Sequence, residues 1–199
     1  CRLRDGATPK ELHREIVLSA TYRQASAGRP EALLEDPENR LVWRYPRRRL
    51  DAESIRDQML LATGELRREG YGEPGYEAFA FEDDHSPRYL YGDRTAEDPT
   101  TLRRSIYRFT VRSVPDPWFE VFDGADPDAN TPARLETTTP QQMLALWHSS
   151  FALGRAEALA RRVRLERPSG GVDGQVERAF WLVCARGPTA AELEACVSH

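Results

Sequence analysis

The sequence predicts a mainly α fold: a helical domain with a small antiparallel β element, a hairpin near 76–91 plus a strand near 105–112. Three observations carry this. Helix-start signatures recur, because Thr8-Pro9-Lys10-Glu11, Thr139-Pro140-Gln141-Gln142 and Thr189 with Glu192 each set a hydroxyl three residues before Glu or Gln. Apolar residues recur at helical spacing, as in Ile55, Met59, Ala62 and Leu66. Aromatic and β-branched runs that fit strands are confined to the middle of the chain.

Taken in order, Thr8 caps a first helix carrying Leu12, Ile16, Val17 and Ala20, which ends near Ala25 before Gly28 and Pro30. Asp36-Pro37-Glu38 predicts a short second helix with Leu41, Val42 and Trp43, stopped by Pro46. Asp51 caps a third, with Gly70 just beyond its end. Two short strands, Tyr76–Phe81 and Arg88–Tyr91, flank the acidic turn Glu82-Asp83-Asp84-His85-Ser86. Ser105, Tyr107, Phe109 and Val111 alternate with Ile106, Arg108, Thr110 and Arg112, the period of a strand with one buried face that pairs with the hairpin. Pro115 and Pro117 end it, and Trp118, Phe119, Val121 and Phe122 crowd a helix-like turn closed by Asp123-Gly124. After Thr139 one helix carries Met143, Leu144 and Trp147. Ser149-Ser150 caps the next, with Ala152, Ala156, Leu159 and Val163. Pro168 to Gly174 reads as a loop, Val176, Phe180 and Val183 as a helical face, and Thr189 opens the last helix.

At 199 residues the chain is long enough for one domain with a core or two small ones, and with no repeat or linker one domain is the simpler expectation. Hydrophobic residues at 40% and charged residues at 30% place it among globular proteins. A net charge of −4 gives no reason to expect a nucleic-acid partner. No apolar run reaches the roughly 20 residues of a transmembrane helix. The chain opens on Cys1 rather than Met, which predicts a processed or excised piece; a mature lipoprotein also begins on Cys. Cys1, Cys184 and Cys196 contain no C-x-x-C or C-x-x-C-H, so there is no haem-attachment or zinc-ribbon pattern. Packing is the expected role of Cys184 and Cys196, with a disulfide between them as the alternative.

Candidate chemistry centres on the acidic loop. Asp126-x-Asp128-x-Asn130 begins like a calcium loop, whose oxygen ligands alternate on one side of a turn. Thr131 then stands where an EF-hand needs glycine, and Thr137 where it needs the bidentate glutamate. A looser calcium site from Asp123, Asp126, Asp128 and Asn130, with Glu136 in reach, competes with plain capping by short acidic side chains. His13, His85, His148 and His199 form no H-E-x-x-H and no close pair, and His148 lacks the elbow and acid of a serine triad. Lys10 is the only lysine, so positive charge is nearly all arginine, which favours forked pairing with carboxylates; a GC-rich coding sequence gives the same bias. Arg44, Arg47, Arg48 and Arg49 precede Asp51, Glu53 and Asp57, while Arg103, Arg104, Arg108 and Arg112 lie near the expected strand. Pairing with these carboxylates and the acidic loop is one reading, and binding an anionic glycan the other. Tyr71, Tyr76, Tyr89 and Tyr91 are either sugar-stacking aromatics or sheet filling.

The order of motifs also carries a resemblance. His13-Arg14-Glu15-Ile16-Val17-Leu18-Ser19-Ala20-Thr21-Tyr22-Arg23-Gln24, Asn39-Arg40-Leu41-Val42-Trp43-Arg44, Pro46-Arg47-Arg48-Arg49-Leu50-Asp51 and Ile55-Arg56-Asp57 open it. Arg103-Arg104-Ser105-Ile106-Tyr107, Phe122-Asp123, Asp126-Pro127, Thr138-Thr139-Pro140-Gln141-Gln142, Arg178-Ala179-Phe180 and Arg186-Gly187-Pro188-Thr189 continue it. From about Leu12 to Glu194 the chain resembles the planctomycete cytochrome-c-associated domain, domain of unknown function 1553. It departs from that pattern at Trp147-His148-Ser149-Ser150-Phe151, where Asn-Asp-Pro-Phe is common, and at Ala133-Arg134-Leu135, where Arg-Arg-Asn is.

The resemblance implies an N-terminally truncated piece of a large extracytoplasmic protein, at the periplasm or cell surface, in which a c-type cytochrome domain commonly precedes this one. Any haem would sit on that separate domain. It implies no assigned catalytic residue. The expected function is therefore an accessory, non-catalytic domain that contacts partner domains or cell-surface carbohydrate. The alternative is part of an active site completed by other regions, redox or metal-assisted, with Asp123, Asp126, Asp128 and His148 as its candidates.

Overall fold

The structure, a computed structural model, describes residues 6, 8–68, 72–83, 85–91 and 98–198. Cys1, Gly70, Tyr71, Asp84 and His199, all used in the sequence reading, lie outside the described residues. The fold is mainly α with one small antiparallel hairpin. Its contacts divide into two compact units, 1–49 and 50–199.

In the first unit, helix α1 spans Pro9–Leu18 and α2 spans Pro30–Glu35. The capping box at α1 forms: Thr8 Oγ1 accepts from the Glu11 N–H at 3.3 Å, and the Glu11 carboxylate accepts from the Thr8 N–H at 2.7 Å. The helix stops short of Ala25 because Ser19 turns back on it. Its hydroxyl donates to the Ile16 carbonyl at 2.7 Å and accepts from the Tyr22 N–H at 3.2 Å. The helix expected after Asp36 is displaced. Pro30 opens one instead, at the position where a missing N–H costs nothing. Residues 36–44 then form a loop, because Asp36 takes the N–H groups of Arg40 and Leu41 at 2.9 and 2.8 Å. Asn39 closes it, accepting from the Arg44 N–H at 3.1 Å and donating to the Arg44 carbonyl at 2.9 Å.

In the second unit, α3 runs Ala52–Thr63, capped by the Asp51 carboxylate on the Ser54 N–H at 2.7 Å. It ends on Gly64 at φ 78°, a left-handed conformation that glycine adopts without steric cost, several residues before the expected stop at Gly70. Strands β1, Phe79–Glu82, and β2, Arg88–Tyr91, pair antiparallel with Phe79 opposite Tyr91 and Glu82 opposite Arg88. Phe79 is buried and packs edge-on against Tyr89, Tyr91 and Phe109.

The strand expected at 105–112 does not form. Ser105–Tyr107 is a 3-10 turn, and among the described residues the sole sheet-like contact of this segment is a parallel bridge of Arg108 with Tyr76. The cause lies in the side chain of Asp57, whose Oδ1 accepts from both the Ser105 N–H at 2.8 Å and its hydroxyl at 2.7 Å. A backbone donor held by a carboxylate is lost to a ladder. Ile106 and Phe109 stay exposed, so no single face is buried.

Four more helices follow the short α4, Pro117–Val121: α5, Pro140–His148; α6, Ser150–Glu166; α7, Gly171–Cys184; and α8, Ala190–Ser198. Both remaining capping boxes form, at Thr139 with Gln142 and at Thr189 with Glu192. Helix α7 begins at Gly171, inside the expected 168–174 loop, and its Arg178 reaches Glu166 of α6 at 2.5 Å. Helix α6 packs against α3, α5 and α7. A core cluster joins Ala52, Phe119 and Phe122, with Ile55, Trp118, Val121 and Ala145 packed on it. Each large aromatic side chain fully buried there contributes about 1.5–3 kcal/mol of apolar transfer. Cys184 and Cys196 are exposed free thiols, neither packed nor bridged.

Candidate functional site

The acidic loop is shaped by its own capping. Asp123 sits at φ 56° and its Oδ2 accepts from the Thr137 N–H at 2.8 Å. The Thr137 hydroxyl lies 3.0 and 2.9 Å from the two Asp123 oxygens. Thr137, standing where a calcium loop would place its glutamate, thus closes the loop as a donor. Gln142 of α5 locks this closure: it is buried, and its Nε2 donates to the Val121 carbonyl at 3.1 Å and to Thr137 Oγ1 at 3.2 Å. Asp126 Oδ1 accepts from the Asp128 N–H at 2.8 Å, a turn of the Asx type. Asp128 faces Arg112 at 3.5 Å across an exposed pair, and Asn130 is exposed. Among the described residues no three His, Cys, Asp or Glu side chains are grouped to hold a metal ion.

Sequence reasoning named Arg103 and Arg108 as carboxylate partners but missed Arg56 and Arg155 as buried members of the same group. Arg56, on α3, is 6% exposed and reaches 45 residues along the chain. Its guanidinium donates to the carbonyls of Thr101 and, at 3.0 Å, Arg103, and stands 3.8 Å from Asp57. It also lies 5.3 Å from the Tyr76 ring centre and 5.2 Å from that of Phe151. Burial pushes the Arg56 pKa down, against the opposing pull of Tyr76 and Asp57. Burial likewise pushes Tyr76 up, against Arg56 and Arg108. The Tyr76 hydroxyl is buried with no hydrogen-bond partner among the described residues. The signal was present in the sequence: Arg56 lies between Ala52 and Leu60 at helical spacing, on the face that becomes core.

Arg108, Arg103 and Arg155 repeat the pattern. Arg108 pairs with Asp116, which also caps α4 at the Trp118 N–H at 2.8 Å, and its guanidinium lies 3.6 Å over the Phe119 ring. Arg103 donates to the Pro74 carbonyl at 2.7 Å and faces Glu73 at 3.6 Å. Arg155 pairs with Glu65 and ties α6 to the end of α3. Forked, delocalised guanidinium groups suit such sites because they satisfy several acceptors and stack on rings together.

Two cavities of the second unit bear on chemistry. One of about 190 Å³ brings Arg108, Asp116 and Glu120 beside Asp126, while Asp123, Asp128, Asn130 and His148 lie outside its lining. The other, about 380 Å³, is an apolar groove between α3, α5, α6 and α7, lined by Ile55, Met59, Leu146, Ala156, Leu159 and Val183 among others. Leu146 and Val183 are exposed at its walls, and Trp147 and Trp181, outside its lining, are exposed on the same helices. His13, His85 and His148 are exposed. Tyr89 and Tyr91 are sheet filling against Phe79, whereas Tyr76 lies before the strand, which begins at Phe79 rather than Tyr76, and is buried beside Arg56; the Tyr91 hydroxyl donates to the Val114 carbonyl at 2.9 Å.

A mainly helical domain braced by buried arginines, with its prominent groove apolar, defines the class. The profile of a protein family described as "PSD1: Protein of unknown function (DUF1553)" matches residues 3–199, and the chain belongs to that family. No curated protein and no solved structure matches it.

Proposed function

We propose that this chain is an accessory, non-catalytic module of a larger extracytoplasmic protein, and that its work is to hold another domain in place. The observation that carries the reading is the apolar groove of α3, α5, α6 and α7, with Leu146 and Val183 exposed at its walls. Exposed apolar surface beside a groove marks a site that contacts a partner or ligand. The family resemblance supplies the partner, a c-type cytochrome domain, with cell-surface polysaccharide as the other ligand. The buried ionic groups serve as bracing: Arg56 and Arg155 each tie segments distant in sequence, and Arg108 holds the start of α4 through Asp116. The active-site alternative has less support, since Asp123 and Asp126 already accept backbone N–H groups and His148 stands apart from the cavity that Asp126 lines.

Co-expression with a family cytochrome domain tests this. The haem absorbance should co-purify with the unaltered chain and be lost with L146D/V183D, while circular dichroism stays unchanged. Failure to retain either the cytochrome domain or polysaccharide would refute the reading.

A further inference from the structure

The first unit holds a feature that this reading does not use. Within residues 36–44, Asn39 and Val42 stand at φ 57° and 55°. Asn tolerates the left-handed region, but a β-branched residue there is a steric outlier, held only where its surroundings over-determine it. Here they do. Asp36 fixes the N–H groups of Arg40 and Leu41, its carbonyl takes the Trp43 indole N–H at 2.9 Å, and Asn39 clamps Arg44 from both sides. The backbone N–H of Leu41, followed by that of Arg40, holds the Asp36 carboxyl below its ordinary pKa, so the clamp is ionised at neutral pH.

This rigid loop presents Leu41, which is 83% exposed. Beside it opens a cavity of about 450 Å³ walled by Asn39, Val42, Arg44, Pro46 and Arg47, with Glu38 at its edge. Arg47 and Arg48 are exposed, and neither is paired with a carboxylate among the described residues. Two carboxylates expected to pair with this basic run have other partners: Glu53 binds Arg134, and Asp57 lies 3.8 Å from Arg56 and 3.6 Å from Arg104.

We propose that this loop and cavity form a preorganised docking site for an acidic, leucine-bearing peptide segment of another protein, a proposal that rests on the contact-module reading above. Charge complementarity argues for the carboxylates, because exposed guanidinium forks bind them bidentately. The exposed leucine on a strained, fixed loop argues for a peptide, since preorganisation lowers the ordering cost of docking. Trp43 argues against a sugar: Arg44 and Arg29 lie 4.9 and 5.7 Å from its ring centre, and its indole N–H is already bound to Asp36.

The probes are a fluorescein-labelled peptide of Glu, Leu and Gly, its Lys-for-Glu counterpart, and polygalacturonate, each titrated against the full chain at low and physiological salt. The acidic peptide should bind, the basic one should not, and affinity should fall with salt. R47E/R48E should bind the acidic peptide about tenfold more weakly. L41S, which leaves the charge intact, should also weaken it. No binding of the acidic peptide, equal affinity of R47E/R48E, or tighter binding to polygalacturonate overturns the proposal. A cytochrome domain retained by the unaltered chain while the acidic peptide fails to bind sinks the docking site and leaves the contact reading standing. Peptide bound at the loop with no cytochrome or polysaccharide retained does the reverse.

Discussion

Arg56 and Tyr76 are neighbours with opposite expected consequences. Arg56 satisfies the Thr101 and Arg103 carbonyls and sits beside Asp57, all in a buried setting. Removing one partner of such a network leaves acceptors and a charge uncompensated. Arg56→Met should therefore lower stability by about 3–5 kcal/mol. The Tyr76 hydroxyl makes no hydrogen bond among the described residues, so its removal should lose little. Tyr76→Phe should stay within about 1 kcal/mol of the parent, or gain. Urea denaturation of the two variants side by side checks both expectations. A Tyr76→Phe loss comparable to that of Arg56→Met would mean that the hydroxyl belongs to the network.

At the scale of single elements, the turn after α4 depends on a close approach. Gly124 donates to the Phe119 carbonyl at 2.6 Å, and a Cβ added there would stand 2.7 Å from that oxygen and 3.0 Å from Phe119 Cβ. Neither backbone nor core aromatic can yield easily. Gly124→Ala should cost about 1–3 kcal/mol and disturb the Asp123–Thr137 closure, read as a drop in midpoint and a shifted Thr137 amide resonance.

Helix α8 has a pH dependence of its own. Glu192 is held at about 2, below its ordinary 4.5, first by the Arg186 fork and then by the Thr189 N–H. A carboxyl depressed on folding stabilises above its unfolded pKa and loses that contribution as pH falls through the folded value. The cap should therefore be intact above pH 4.5 and weaken progressively toward about 2. Carbon-detected titration of the Glu192 carboxyl, with α8 amide shifts followed in parallel, tests this. In Glu192→Gln the α8 shifts should lose their dependence across that window, and a Glu192 midpoint near 4.5 would contradict the cap.

For the molecule as a whole, the uneven distribution of core is decisive. Every buried hydrophobic side chain among the described residues belongs to the second unit, and Asp36 is the one buried side chain of the first. A unit held by capping and loop hydrogen bonds opens at lower free energy than one built on packed aromatics. Amides of α1 and α2 should therefore exchange at least about tenfold faster than those in the middle of α6. Equal protection would show that the first unit draws stability from more than its own contacts.

The sequence by itself determined what depends on neighbours within a turn. It placed the three capping boxes, the Asp51 and Ser149 caps, the hairpin and the mainly helical class, and its motifs pointed to the family. These are legible because a cap and its N–H lie three residues apart and a helical face repeats every three or four. The tertiary structure decided what depends on distant partners. Asp57 holds Ser105 from 48 residues away and turns an alternating strand pattern into a 3-10 turn. Thr137 reaches Asp123 over 14 residues and fixes the loop that looked like a cation site. Arg56 becomes core because carbonyls 45 and 47 residues away meet it there. Periodicity records which face is apolar, whereas the capture of a backbone donor by a remote carboxylate, or of a carbonyl by a remote guanidinium, leaves no local trace until the chain has folded.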